Sequence, residues 1–426
     1  MRGFRSLVIS VMALAGTAAG QIAFHGEVNP LIRLTMDQRY LSLPHRFVVL
    51  NGEQRGDRVS LYFSTALEYR LDTNVATPDL REAYAEFSTG LGDFRFGKQI
   101  LAWGAVDGNN PTDNVNPYDF YYLFLSGLDR KMGTVSLSAN LYLGNLNLEA
   151  VLTPVFQPHR LPINEPDFPI FAGEPSPLSS LVIEEVERSF ENSEFGLRAR
   201  LPLAMFDLSW SYFRGFDRML GVVSVLQQSL DTTIPVSLGY QQTQVFGADL
   251  VTFIGNWAVR AEGAYFLTPD RDADDPFIRN PYFQYVVQGD YTGTAGSWMV
   301  QYLGTYITGL DGDNTVDPAT GTVVTEFENE RDNLPAKIGM PFAVIAPNAL
   351  LAAASLELAD AGYTFRVQAL VDLDNGGLMV GGGLAVHLED AFDLELGLTL
   401  LGGDESSRLG GLKDFSHLSV AFKYSF

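Results

Sequence analysis

Ser416-His417-Leu418-Ser419-Val420-Ala421-Phe422-Lys423-Tyr424-Ser425-Phe426 decides the fold. Read in steps of two, Leu418, Val420, Phe422, Tyr424 and Phe426 share one face. His417, Ser419, Ala421, Lys423 and Ser425 share the other, the mark of a β-strand apolar on one side only. In water this would be a sticky edge strand. In the bacterial envelope it reads as the closing strand of an outer-membrane barrel. Its terminal aromatic, Phe426, would be what the barrel-assembly machinery engages.

Working outward, residues 1–20 read as a secretory signal: Arg2 and Arg5, an apolar stretch from Leu7 to Ala15, then Gly16-Thr17-Ala18-Ala19-Gly20. That apolar stretch is shorter than the ~20 residues a spanning helix needs, and no later segment reaches that length. Yet 46% of the 426 residues are hydrophobic and 12% aromatic. The apolar residues must then be spread over short alternating strands. There is no cysteine, which excludes disulfides, thiol nucleophiles and thiolate metal sites.

Without Arg2 and Arg5 the chain keeps 26 of its 28 basic residues against 51 acids. An acidic balance of this size argues against nucleic acid as a partner and against a basic, anion-selective pore. Acidic loops beside outer-membrane lipid and lipopolysaccharide would instead keep the chain soluble in transit and take up divalent cations.

The alternation recurs. Leu61, Phe63, Leu67 and Tyr69 oppose Tyr62, Ser64, Glu68 and Arg70; Trp257, Val259 and Tyr265 oppose Arg260 and Glu262; Tyr363, Phe365 and Val367 oppose Thr364, Arg366 and Gln368. The strands run ~10 residues, the length of a tilted membrane strand. Short turns such as Gly144-Asn145, Gly255-Asn256 and 359–362 alternate with long connections near 103–131, 155–190, 215–236, 267–281, 309–347 and 402–415, and a tight turn at 374–377. Short periplasmic turns and long extracellular loops have this rhythm. The fold class is therefore all-β: residues 21–426 form a single transmembrane antiparallel β-barrel of 16–18 strands. Sixteen strands are counted from Val59 to Phe426. Residues 21–58 add two more, at His25–Met36 and Arg46–Leu50, or lie inside the barrel; the count favours eighteen. A barrel this wide encloses an aqueous lumen rather than a packed core.

The most distinctive segment follows the strand ending in Gly97-Lys98-Gln99. It contains Trp103-Gly104, Asp107, Asp113, Asn116-Pro117 and Asp119. These residues resemble the pattern of a poorly characterised family of Gram-negative outer-membrane, porin-like β-barrels, in which a Gly-(Lys/Arg)-Gln strand leads to Trp-Gly and an Asp- and Asn-Pro-rich loop. The resemblance implies a transport role and is confined mainly to residues 97–119. On its own chemistry the segment suits a loop folded into the lumen, because Pro111 and Pro117 restrict it and its Asn and Asp side chains close turns on the backbone. The constriction-loop candidates are Trp103, Asp107, Asp113, Asn116, Asp119, Phe120, Tyr121, Tyr122 and Phe124, whose aromatics would meet a hydrophobic or aromatic solute. The plainer reading is an extracellular loop packed on the rim.

Pore-lining candidates fall on the polar faces: Glu68, Arg70, Glu82, Glu86, Arg95, Arg198, Arg200, Arg260, Glu262, Arg366, Asp393, Glu395 and Lys423. They either set up a transverse field that orients solutes or pair across strands. Catalysis is not expected. His417-Leu418-Ser419 has the His-x-Ser spacing of outer-membrane lipid hydrolases but faces the wrong way for one, and no Gly-x-Ser-x-Gly elbow exists. No cofactor or metal site is expected, since the five histidines lack ligand spacing and Asp311–Asp317 departs from a calcium loop. The expected function is a channel or passive transporter of small amphipathic or hydrophobic solutes. The alternatives are a surface-exposed binding or adhesion barrel and, remotely, a lipid hydrolase.

Overall fold

A computed structural model describes residues 22–426 apart from 42, 126, 163–164, 166–181, 230–231, 272–277, 279, 295, 309–340, 359–360, 390 and 405–406. The signal segment, the acidic runs at 272–275 and 311–317, and the proline-rich stretch beyond residue 165 lie outside the described residues.

Eighteen strands close an antiparallel barrel. They are β1 (Ala23–Val28 and Leu31–Thr35), β2 (His45–Gln54), β3 (Val59–Arg70), β4 (Val75–Thr89), β5 (Gly92–Gln99), β6 (Thr134–Leu143), β7 (Leu146–Thr153), β8 (Glu194–Pro202) and β9 (Phe206–Phe216). The second half comprises β10 (Gln242–Ile254), β11 (Trp257–Leu267), β12 (Tyr282–Thr292), β13 (Gly296–Ile307), β14 (Ala349–Leu358), β15 (Tyr363–Asp372), β16 (Leu378–Glu389), β17 (Phe392–Gly402) and β18 (His417–Ser425). Residues 21–58 thus supply two strands, and the sixteen-strand count falls. β1 departs from the expected continuous strand at Asn29-Pro30, where proline has no N–H for the ladder. The break is bridged on both sides: Phe422 N–H donates to Pro30 O at 3.1 Å and Asn29 N–H to Phe47 O at 2.8 Å.

Closure runs through the two ends. Glu27 and Val28 pair with Ser425 and Tyr424, and Leu31–Thr35 with His417–Ala421. Lys423 Nζ meets Glu27 Oε2 at 2.6 Å across this seam. A small sheet of Val182–Ile183, Gly221–Ser229 and Thr232–Gly239 stands outside the barrel order, within the long-loop region.

The outer wall is apolar and uncovered, as a lipid-facing surface must be. Leu418, Val420, Phe422, Tyr424 and Phe426 are all exposed, and Trp257, Trp298 and Phe206 stand near the short-turn end. Among the four tryptophans, Trp210, Trp257 and Trp298 are 46–61% exposed on the outer wall, whereas Trp103 is 2% exposed inside. Lipids with brominated acyl chains are therefore expected to quench the first three and spare Trp103. Fluorescence of a Trp103→Phe variant in such bilayers checks this: its loss should remove the unquenched component.

The lumen is less open than expected. Towards the long-loop end, Phe120, Leu123, Phe342, Ile345, Leu409, Leu412 and Phe415 pack against Val286, Leu303, Leu351, Leu370, Met379 and Leu401 of β12–β17. The last six point inward, opposite in phase to lipid-facing neighbours such as Leu350 and Leu400. A packed apolar body thus occupies part of the barrel's outer half.

Candidate functional site

β5 and β6 stay paired up to Gln99 and Thr134, and residues 100–133 leave the wall between them. The base of this loop is clamped by side chains. Buried Gln99 donates from Nε2 to Ser136 O at 3.1 Å and accepts from Ser138 Oγ at 3.0 Å. Asn116 accepts Leu101 N–H at 2.7 Å and donates to Gln99 O at 3.0 Å and Met132 O at 3.1 Å, tying both legs together.

From that base the loop crosses the lumen. Trp103 lies on Gly196 of β8, where an added Cβ would sit 2.7 Å from Trp103 Cη2. Thr112 lies on Gly247 of β10, where a Cβ would meet Thr112 Cγ2 at 2.6 Å. The two glycines are seats that allow this close approach. On β11, Glu262 accepts from Ala105 N at 2.8 Å, Val106 N at 3.4 Å, Asn110 Nδ2 at 3.1 Å, Thr112 N at 3.0 Å and Thr112 Oγ1 at 2.7 Å. Further on, Asp107 N–H donates to Gln288 Oε1 of β12 at 2.8 Å, and Asn109 Nδ2 to Gln301 Oε1 of β13 at 2.7 Å. Arg260 Nη1 lies 3.1 Å from Asp107 Oδ1.

The second arm is fixed by buried charge. Lys131 Nζ meets Asp113 Oδ2 at 2.6 Å. Arg218 reaches Glu194 Oε2 of β8 at 2.8 Å, Val115 O at 2.9 Å and Gln157 O at 2.7 Å. Tyr118 N–H donates to His159 Nδ1 at 2.8 Å. Burial drives His159 well below the ordinary imidazole range, and Arg218 and Lys131 push the same way. The ring is thus neutral and Nδ1 free to accept.

Asp119 starts the short 3₁₀ turn Phe120–Tyr122, accepting Tyr121 N–H at 3.1 Å. Burial pushes its carboxyl up to about 6, although Arg160, 2.9 Å away, pulls it down. This turn faces an arginine-rich wall. Arg160 also pairs with Glu68 at 2.9 Å, and Arg70 with Glu165 at 2.6 Å. Arg46 lies 4.0 Å over the Tyr122 ring, and Arg160 4.7 Å over Tyr121. Arg46 and Arg81 share Asp129, at 3.4 and 3.0 Å.

The other pore-lining candidates are spread around the wall. Glu82 accepts Ile100 N–H at 2.8 Å. Arg95 pairs with Glu86 at 2.5 Å, Arg198 with Asp249 at 3.1 Å, and Arg200 with Glu149 at 3.8 Å. Asp393 meets His387 Nδ1 at 2.6 Å. Arg366 stands exposed in register with Gly383, and Glu395 is half-buried beside Ala385. Of the loop aromatics, Trp103, Phe120 and Tyr122 are enclosed by protein, so they are anchors and not a surface offered to solute. Tyr121 and Phe124 keep partial exposure, with Phe124 5.8 Å from the Phe415 ring. His417 Nδ1 lies 2.7 Å from Phe415 O, as donor to a carbonyl.

Sequence reasoning passed over Arg46, Arg81, Arg160, Gln288, Gln301 and the Arg218–Glu194 pair, and it named Gln99 in the motif without its clamping role. Gln288 and Gln301 were visible as inward-phase neutral polar residues on β12 and β13, but nothing in period two tells a structural amide from a wetted one.

No family model and no curated protein matches this sequence. Solved structures do match its shape. OpdK of Pseudomonas aeruginosa, solved with vanillate, superposes with a TM-score of 0.52 at 9% identity, covering 95% of this chain and 98% of that one. OccK5 (OpdH) of the same organism gives 0.52 at 10%, with 96% and 98% covered. OccK2 (OpdF), solved with glucuronate, gives 0.52 at 9%, with 96% and 97% covered. OpdK is described as an outer membrane protein, and this chain shares the barrel fold of these structures, the architecture of an integral outer-membrane protein.

Proposed function

We propose that this barrel is a porin-like channel that passes small amphipathic solutes down their gradient, without covalent chemistry. One observation carries the reading: a loop leaves the wall between β5 and β6 and is fixed to β11–β13 across the lumen, so the barrel is narrowed from inside by a built element. The partly exposed Tyr121 ring beside Arg70 and Arg160 supports solutes that join an apolar ring to an acidic group. The vanillate and glucuronate of the two neighbouring structures have that acidic group in common. The strongly negative net charge of the chain does not oppose this, because selectivity follows the charges that face the path.

The test is single-channel recording in planar bilayers. Because Gln99 and Thr134 are already paired, residues 101–132 can be replaced by a short Asn-Gly turn that continues the hairpin. Wild type should conduct, and the loop-replaced barrel should conduct several-fold more. Silence in both, together with tight binding of a surface ligand, would favour the adhesion alternative and sink the channel.

A further inference from the structure

We propose that Glu262 is the latch that holds the 104–112 arm across the lumen, so that this one carboxylate sets the cross-section left for solute. The proposal rests on the channel reading. Glu262 is 4% exposed, and its cross-strand partner on the inward face is Asp249 of β10. Two acids directly opposite repel. Asp249 is balanced by Arg198 at 3.1 Å and by Ser209 Oγ. Glu262 is balanced differently: all its hydrogen bonds among the described residues come from the loop, at Ala105, Val106, Asn110 and Thr112.

The loop is shaped to supply those donors. At Gly104, φ is +94°, and a Cβ there would sit 2.6–2.7 Å from the two carboxylate oxygens. Only a residue without a side chain lets the backbone turn its N–H groups onto Glu262. The arm's remaining ties to the wall are spread over four residues: Gln288 and Gln301 each hold Asp107 and its neighbours by two amide bonds, Arg260 reaches Ala105 O at 3.3 Å and Asp107 at 3.1 Å, and Arg198 reaches Gly104 O at 3.4 Å. Hydrogen bonds to an ionised acceptor are roughly twice as strong as neutral ones. Glu262 accepts five hydrogen bonds from the arm, more than any other wall residue makes with it, so the latch is concentrated there.

The geometry separates a latch from a filler. Glu262→Gln keeps the shape but turns an NH₂ towards N–H donors, so a filler role predicts no change and a latch predicts release. Single-channel conductance of Glu262→Gln should rise at least two-fold and become noisier. A second variant restores the tie without the charge. The chain has no cysteine, and Thr112 Cβ lies 3.2 Å from an ideal Cβ on Gly247, against about 3.8 Å in a typical disulfide. Thr112→Cys with Gly247→Cys, added to Glu262→Gln and oxidised, should return conductance to the wild-type value, and reduction should raise it again. Wild-type conductance in Glu262→Gln, or a rise that the disulfide does not reverse, overturns the proposal. A readout independent of conduction uses Val106→Cys alone, at a buried position that meets Glu262 only through its backbone N–H. Its labelling by a membrane-impermeant maleimide should be at least ten-fold faster with Glu262→Gln. Equal rates reject the latch, whereas a barrel that is silent in bilayers rejects the channel reading.

Discussion

Arg218→Met is expected to lower barrel stability by about 3–5 kcal/mol, the cost of leaving a buried ion pair half made. The Arg218 and Glu194 side chains are 0% and 1% exposed, so neither can turn to water when its partner goes. The arginine is also shared between three segments: it holds Val115 O and Gln157 O besides Glu194, and Glu194 in turn accepts Phe216 N–H at 3.2 Å. Methionine fills a similar volume but satisfies none of these acceptors. The measurement is the urea or thermal midpoint of the folded form, followed by heat-modifiable mobility on gels. The double variant Arg218→Met, Glu194→Leu should recover part of the loss, because no uncompensated charge remains. An unchanged midpoint in the single variant would show that water reaches the pair.

That pair illustrates which parts of the molecule were legible in the sequence. The wall was legible because each strand repeats one physical demand, apolar towards lipid and polar inward, and Leu418–Phe426 states it without exception. The strand count followed from the alternation of short turns and long loops. Arg218 lies in a long loop, and its partner Glu194 opens β8, so the contact joins residues 24 positions apart through a fold that no periodicity encodes. Glu262 was legible as an inward acid but not as a latch, since its donors lie more than 140 positions away.

The apolar body inside the barrel left a trace that period two overrides. At the long-loop ends of β14–β17 the alternation fails: Leu350-Leu351, Ala369-Leu370-Val371, Leu378-Met379-Val380 and Leu400-Leu401 are consecutive apolar residues. In each run Leu351, Leu370, Met379 or Leu401 faces inward, under Phe342, Leu409 and Phe415, and its neighbours in the run face lipid. A run of this kind at the mouth of a wide barrel signals that a loop returns to cover it. The acidic balance describes the chain as a whole and not this site: Arg46, Arg70 and Arg81 of β2–β4 and Arg160 of the loop after β7 gather around Tyr121 and Tyr122.

Replacing Arg70 and Arg160 together by Gln should move the channel towards cations. Both guanidinium groups keep access to the lumen, at 27% and 36% exposure, whereas their partners Glu165, Glu68 and Asp119 are nearly enclosed. Two positive charges facing the path are therefore lost, partly offset because Asp119, already pushed up by burial, loses the Arg160 that pulled it down and takes up a proton. Each charge acts on a permeant ion ~4 Å away with about 1 kcal/mol in water-like surroundings. Since 1.4 kcal/mol is tenfold, that is about a five-fold change for an anion and the same factor in the opposite sense for a cation, or about 25-fold in the anion-to-cation ratio per residue. The quantity to measure is the reversal potential under a salt gradient. The shift should be large at low ionic strength and fade towards 1 M salt, where the Debye length falls to about 3 Å. A shift that ignores salt would mean a change of pore shape instead of charge. No shift at all would place the solute path away from the Tyr121 wall, leaving the region beside β15–β17, where Arg366 stands exposed and Glu395 half-buried, as the route to probe next with the same gradient.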